Sequence, residues 1–227
     1  MELKNTVAVV TGANRGLGRH LAAQLVERGA KVYAAARRPE TVDLPGVTPL
    51  RLDVTDQESI QEAARIASDA TLLINNAGVS TGATLVGGDL GEVRREMETN
   101  FFGPLLTTRA FAPVIEGNGG GVLNVLSALS WFHPAGLGSY AVTKAAAWAL
   151  SDATREELAP RGIAVSALHV GYMDTDMAAA VPADQKADPV EVAAHALRAI
   201  EEGLPEVLAD ETSRLVKASL SGTPAAA

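Results

Sequence analysis

The chain has 227 residues, of which 47% are hydrophobic and 20% charged, with a formal net charge of -8 at pH 7 and no cysteine. That length and apolar content suit one domain with one substantial core, and the acidic balance argues against a nucleic-acid partner, which would need clustered Lys and Arg. The missing cysteines exclude a disulfide framework, a thiolate nucleophile and a thiolate-ligated metal, and no run of about 18 apolar residues is present to span a bilayer.

The opening MELKNTVAVV sets acid and base ahead of a short apolar run and resembles neither a secretory signal nor a transit peptide. A cytoplasmic protein with no membrane partner is therefore the expectation. TVAVVTG (6–12) reads as a buried strand, and LGRHLAAQLVERGA as a helix that stops at Gly29. KVYAAA is a second strand, VTPLRLDV a third, QESIQEAARIAS its helix, and TLLINNAG a fourth strand running into a glycine turn. From Asp89 to Glu116 the pattern is helical, with Gly103 and Pro104 expected to bend or break it. GVLNVLS makes a fifth strand, 139–158 a helix and GIAVSALHV a sixth strand. A loop at 171–188 follows, then a helix over 189–202, a short strand EVLA, a helix over 210–220 and a frayed tail over 221–227. Strands alternating with helices predict an α/β fold: a doubly wound parallel sheet of about seven strands with helices on both faces, in one domain spanning 1–227.

Gly12, Gly16 and Gly18 in TGANRGLG lie between the first strand and the first helix. Glycines there let the backbone turn and approach a pyrophosphate, while the helix N-terminus offers free N–H groups. About twenty residues on, where such folds carry an acid for the ribose 2′-hydroxyl, the chain reads AAARRP, with Ala36 in place of the acid and Arg37 and Arg38 after it. Arg15 adds a cation within the glycine loop. Guanidinium groups suit a 2′-phosphate dianion that a carboxylate would repel, so NADP(H) is expected over NAD(H). Asp53, at the tip of the third strand, either accepts from the adenine amino group or caps the next helix.

In SYAVTKAAAWAL (139–150), Tyr140 and Lys144 are four residues apart and so share a helix face. Together with TGANRGLG, LDV, NNAG (75–78), TN (Thr99, Asn100), a Ser in strand 5 and GYMDT after strand 6, they resemble the short-chain dehydrogenase/reductase family over about residues 4–177. The resemblance implies a Rossmann-type sheet of order 3-2-1-4-5-6-7 and a nicotinamide cofactor. Cofactor contacts would come from Asn14 and Leu17 in the glycine loop, Val54 after strand 3, Asn76, Ala77 and Gly78 after strand 4, and Gly171, Met173 and Thr175 after strand 6. It implies catalysis by Asn100, Ser127, Tyr140 and Lys144. Tyr140 would give the proton, and Lys144 one turn away would lower the phenol pKa and reach the nicotinamide ribose. Ser127, thirteen positions before Tyr140, would hold the substrate oxygen, and Asn100 a water linked to Lys144.

Two features depart from the family. Val170 stands where proline is usual, which leaves the following loop less constrained, and the C-terminus lacks the Asp-Gly-Gly segment of many members. Leu129, Trp131, His133, Tyr172 and Met177 are candidates for the substrate pocket, with Trp131 and Phe132 equally readable as core. His133 and His169 are not spaced as metal ligands, and no metal is expected. The short substrate loop at 171–189 favours compact ketones or aldehydes. The leading expectation is an NADPH-dependent carbonyl reductase, reversible as an alcohol dehydrogenase, acting as a homo-oligomer, dimer or tetramer. A non-catalytic NADP(H) sensor and an epimerase or dehydratase on the same fold are the alternatives.

Overall fold

The computed structural model describes residues 1–221, so the expected tail beyond Ser221 lies outside the described residues. Seven parallel strands, β1 (Val7–Thr11), β2 (Lys31–Ala36), β3 (Thr48–Arg51), β4 (Leu72–Asn75), β5 (Gly120–Val125), β6 (Ile163–His169) and β7 (Glu206–Leu208), form one sheet in the order β3-β2-β1-β4-β5-β6-β7. Among the described residues the α-helices are α1 (Gly16–Glu27), α2 (Gln57–Ile66), α3 (Leu90–Met97), α4 (Gly103–Asn118), α5 (Gly138–Leu158), α6 (Pro189–Glu202) and α7 (Glu211–Ser219).

The interior strands are apolar on both faces because both faces are covered. Ala8, Val10, Leu72 and Ile74 join Leu21, Leu25 and Leu197 in the core beneath α1 and α6. Their neighbours Val9 and Leu73 point the other way, into a second core with Ile60, Phe111, Ile115 and Leu158 beneath α2, α4 and α5. A one-residue slip would exchange the two sets. Strand order reverses between β2-β1 and β4-β5, which opens a crevice at the carboxyl ends of β1 and β4, where the glycine loop and the NNAG turn sit.

Local structure differs from expectation at several points. β3 is shorter than the run from 47 to 54, at four residues. The helical stretch does not break at Gly103 and Pro104 but is interrupted just before them, where α3 passes through a π turn at Glu98–Phe102 into α4, whose first turn holds Pro104. Pro113 is the proline inside the helix. Asp53 is not the cap of α2: Asp56 is, its carboxylate accepting from the Glu58 and Ser59 amides, while Asp53 accepts from Thr55 N and Oγ1 at 3.0 and 2.8 Å. The loop after β6 is tied at its base by pairing of Met173 with Ala187 and by Lys186 Nζ on Asp174 Oδ1 at 2.6 Å. Among the described residues no helix is long and apolar enough to cross a membrane.

Candidate active site

The glycine loop begins with Gly12 and Gly16 at φ +67° and +53°, a backbone region in which glycine carries no steric penalty. Gly18 is required for a different reason: any Cβ there would collide with the Gly12 carbonyl and Asn76 Nδ2. Asn76 fixes the loop from below, its amide donating to Thr11 O at 2.8 Å and Gly12 O at 3.3 Å, while Thr11 Oγ1 accepts from the Asn76 and Ala77 amides. Arg15 precedes α1 without a side-chain cap, so the first-turn amides around Leu17 remain available to an anionic group.

Asn14 Nδ2 donates to Thr41 Oγ1 at 3.1 Å, and Thr41 Oγ1 donates to Arg38 O at 2.7 Å. This pair of bonds draws the turn carrying Arg37 and Arg38 against the glycine loop. Both arginines are exposed, and neither pairs with a carboxylate among the described residues. Arg15 behaves otherwise: its Nη1 pairs with Asp176 Oδ2 at 3.0 Å, which turns it toward the loop after β6. Thr175 lies beside Gly16, and Val54 packs on Gly103. The arrangement fits a nicotinamide dinucleotide: a sharp backbone turn, an uncapped helix start for phosphate and a free cation pair beside it.

On the other side of the crevice, Lys144 is buried and its Nζ donates to Val125 O at 2.9 Å, 5.6 Å from the centroid of the Tyr140 ring. Burial lowers its pKa to about 8. Tyr140 keeps partial exposure as a residue, yet burial around its hydroxyl raises the pKa well above the ordinary phenol range, with the Glu96 carboxylate and the Tyr172 hydroxyl adding to it. The expected lowering by Lys144 is thus not present in the protein alone. Desolvation dominates, and the ammonium is directed at a carbonyl rather than at the phenol oxygen.

Asn100 lies in the π turn, buried, with its amide donating to Val79 O at 2.8 Å and Thr143 Oγ1 at 3.0 Å and its carbonyl accepting from Val79 N at 2.9 Å. It reaches Lys144 only through neighbours: Thr143 precedes the lysine, and a Cβ on Gly78 would stand 3.2 Å from Asn100 Oδ1 and 3.9 Å from Lys144 Nζ.

Ser127 sits two residues past the end of β5 and not within the strand. Its Oγ accepts from Leu129 N at 3.1 Å and keeps its own proton, whereas the neighbouring Ser130 Oγ is buried without a partner. Leu129 is partly buried, and Phe132, His133, Tyr172 and Met177 are exposed. Trp131 does not line an opening. It is buried, stacked on His169 with centroids 3.9 Å apart, edge-on to Trp148, and covered by Lys217 Nζ at 4.4 Å. Glu96, which sequence reasoning missed, is fully buried one turn before Asn100 and holds Thr81 through one carboxylate oxygen. The i, i+4 spacing to Asn100 was the signal available for it.

The profile of the short chain dehydrogenase family matches residues 6–186. An NADPH-dependent 1-acyldihydroxyacetone phosphate reductase of Schizosaccharomyces pombe is 33% identical over 183 residues, covering 77% of this chain but 62% of that protein, under two thirds of its length. A 3-oxoacyl-acyl-carrier-protein reductase of Vibrio cholerae is 32% identical over 216 residues, 85% of this chain and 88% of that one. Among solved structures, a short chain dehydrogenase from Burkholderia cenocepacia in complex with NADP superposes with TM-score 0.94 and 39% identity, covering 98% of this chain and 95% of that one. A family member from Burkholderia phymatum in complex with NAD superposes at 0.85 with 25% identity, covering 100% of this chain and 99% of that one. A matched profile over most of the chain and the same seven-stranded sheet place this protein in the short-chain dehydrogenase/reductase family, whose chemistry is nicotinamide-linked oxidoreduction.

Proposed function

We propose that the chain is an NADPH-dependent reductase of ketones and aldehydes, reversible as an alcohol dehydrogenase. The observation that carries this reading is the geometry of one crevice: Tyr140 and a buried Lys144 one turn apart on α5, with Lys144 Nζ 5.6 Å from the phenol ring centroid, and a Ser127 hydroxyl whose donor is free. When bound, the nicotinamide supplies the hydride that goes to the carbonyl carbon. Tyr140 gives its proton to the carbonyl oxygen, and Ser127 Oγ, which accepts from Leu129 N, donates its own hydrogen bond to that oxygen and orients it. Lys144 places positive charge beside the phenolate that Tyr140 becomes, and this favours the transfer. In oxidation the same groups run in reverse.

The preference for NADP(H) rests on Arg37 and Arg38, which are exposed, unpaired with carboxylate and held beside the glycine loop through Asn14 and Thr41. The NADP complex of the Burkholderia cenocepacia protein supports it; the NAD complex of the B. phymatum protein makes it a matter of local residues, not of the fold. A short loop after β6 and exposed Phe132, Tyr172 and Met177 favour a compact, partly apolar carbonyl compound. Cytoplasmic residence and a homo-oligomer, dimer or tetramer, belong to the same proposal.

The test is oxidation of NADPH, read by the absorbance of the reduced nicotinamide, across a panel of small ketones and aldehydes. NADH and a 3-oxoacyl thioester on acyl carrier protein run in parallel, with Tyr140→Phe as control. Turnover of small carbonyls with NADPH that disappears in the variant is the expected result. Activity on the carrier-bound substrate alone overturns the compact-substrate reading, and tight NADPH binding with no turnover on any substrate favours a sensor.

A further inference from the structure

Behind Ser127 lies a buried cluster to which the proposed chemistry assigns no part. His169, at the end of β6, is fully buried, and its Nδ1 lies 3.3 Å from the Ser127 carbonyl oxygen. A carbonyl only accepts, so the proton is on Nδ1 and Nε2 carries a lone pair. Nε2 has no hydrogen-bond partner and stands 3.6 Å from the Glu206 carboxylate. A leucine would fill the same space without an orphaned nitrogen facing an acid; the Nδ1 bond is what the imidazole adds.

The ring is held on every side. It stacks on Trp131 at 18°, and Lys217 Nζ, which α7 supplies, lies 4.4 Å from the Trp131 centroid and pairs with Glu206 at 2.8 Å. Backbone bonds flank the same point, Leu126 N to Leu168 O at 2.7 Å and Ala128 N to Val170 O at 2.9 Å. Ser127 O also accepts from Ser130 N at 2.9 Å. The residue bearing the candidate catalytic hydroxyl is thus fixed at its backbone by one side chain from outside its own turn.

We propose that His169 is a positioning residue for Ser127, its Nδ1–H holding the Ser127 carbonyl so that the Oγ hydroxyl keeps one orientation toward the substrate oxygen. The proposal rests on the catalytic reading of Ser127. Burial lowers the ring's pKa to about 4 and so keeps it neutral at physiological pH, while the Nδ1–H donor is present in either charge state.

The experiment compares the native chain with His169→Leu, His169→Asn and His169→Gln. Asn places an amide where Nδ1 was; Gln places it where Nε2 was. Steady-state kcat and KM, NADPH affinity and amide hydrogen exchange of residues 127–131 are measured for each. In His169→Leu, kcat falls on the order of tenfold or more while KM for NADPH stays within about twofold, because the loss is one of orientation. The 127–131 amides exchange faster in that variant, and His169→Asn restores both readouts where His169→Gln does not. A folded His169→Leu with native kcat and native exchange overturns the proposal, as does His169→Gln performing as well as His169→Asn. Should His169→Leu not fold, the Asn and Gln pair decides alone. Should the native chain reduce no carbonyl, the catalytic reading has failed, and the exchange readout still decides whether His169 holds the Ser127 turn.

Discussion

The Lys144 ammonium donates to the Val125 carbonyl at 2.9 Å and lies 5.6 Å from the centroid of the Tyr140 ring, so the two groups share a helix face without touching at their polar ends. Burial keeps the phenol protonated far into the alkaline range and brings the lysine to about 8. If Tyr140 is the proton donor, as proposed, it is therefore loaded at every ordinary pH in the reducing direction, and the neighbouring charge is what titrates.

The profile of kcat/KM for reduction should accordingly fall as pH rises through about 8, where Lys144 loses its proton in the free protein. Tyr140→Phe removes the proton donor and should lower kcat by about a hundredfold or more with NADPH affinity retained. A pH–rate profile of the native chain, and direct NADPH titration of the variant, check both. A flat profile through pH 9 would remove Lys144 from the mechanism.

Cofactor choice should lie with two exposed cations. Arg37→Ala and Arg38→Ala should each reduce the preference for NADPH over NADH by on the order of tenfold, the worth of one charge-assisted hydrogen bond. Asp176→Asn, which frees Arg15 from a largely exposed ion pair, should change stability by less than about 1 kcal/mol. Ratios of kcat/KM for the two cofactors and a denaturant titration measure these effects.

Acid should destabilise the fold through His169. Its folded pKa of about 4 lies below the ordinary 6.5, so between these values the unfolded chain binds the proton that the native one refuses. Stability is then fully present above about 6.5 and declines as pH falls toward 4, by about 3 kcal/mol in all. Urea midpoints between pH 7 and 4.5 should drop more steeply for the native chain than for His169→Asn, which does not titrate. Both tryptophans border this cluster, so their fluorescence follows the same transition.

Gly18→Ala tests the glycine loop by shape alone. The added methyl meets the Gly12 carbonyl and the Asn76 amide, so the variant should lose about 1–3 kcal/mol of stability and bind NADPH more weakly. Gly117→Ala, where a Cβ meets nothing within 4 Å, is the control expected to retain cofactor affinity. Thermal melting and cofactor titration of the two variants make the comparison.

Much of this was legible in the residues themselves. Apolar runs of β-branched residues alternating with helical periodicity dictated a parallel sheet covered on both faces, and the strand order followed from the resemblance. The glycine spacing, the Arg37–Arg38 pair and the Tyr140–Lys144 turn are local patterns, readable because backbone sterics and helix pitch act over a few residues. Tertiary structure alone decided what those side chains face. Arg15 meets Asp176 at a separation of 161 residues, Asn14 reaches Thr41, Trp131 turns inward onto His169, and Lys217 of α7 closes over that ring. It also decided the charge states, because the desolvation that raises Tyr140 and lowers Lys144 and His169 is a sum over atoms brought together by packing, and no local pattern encodes it.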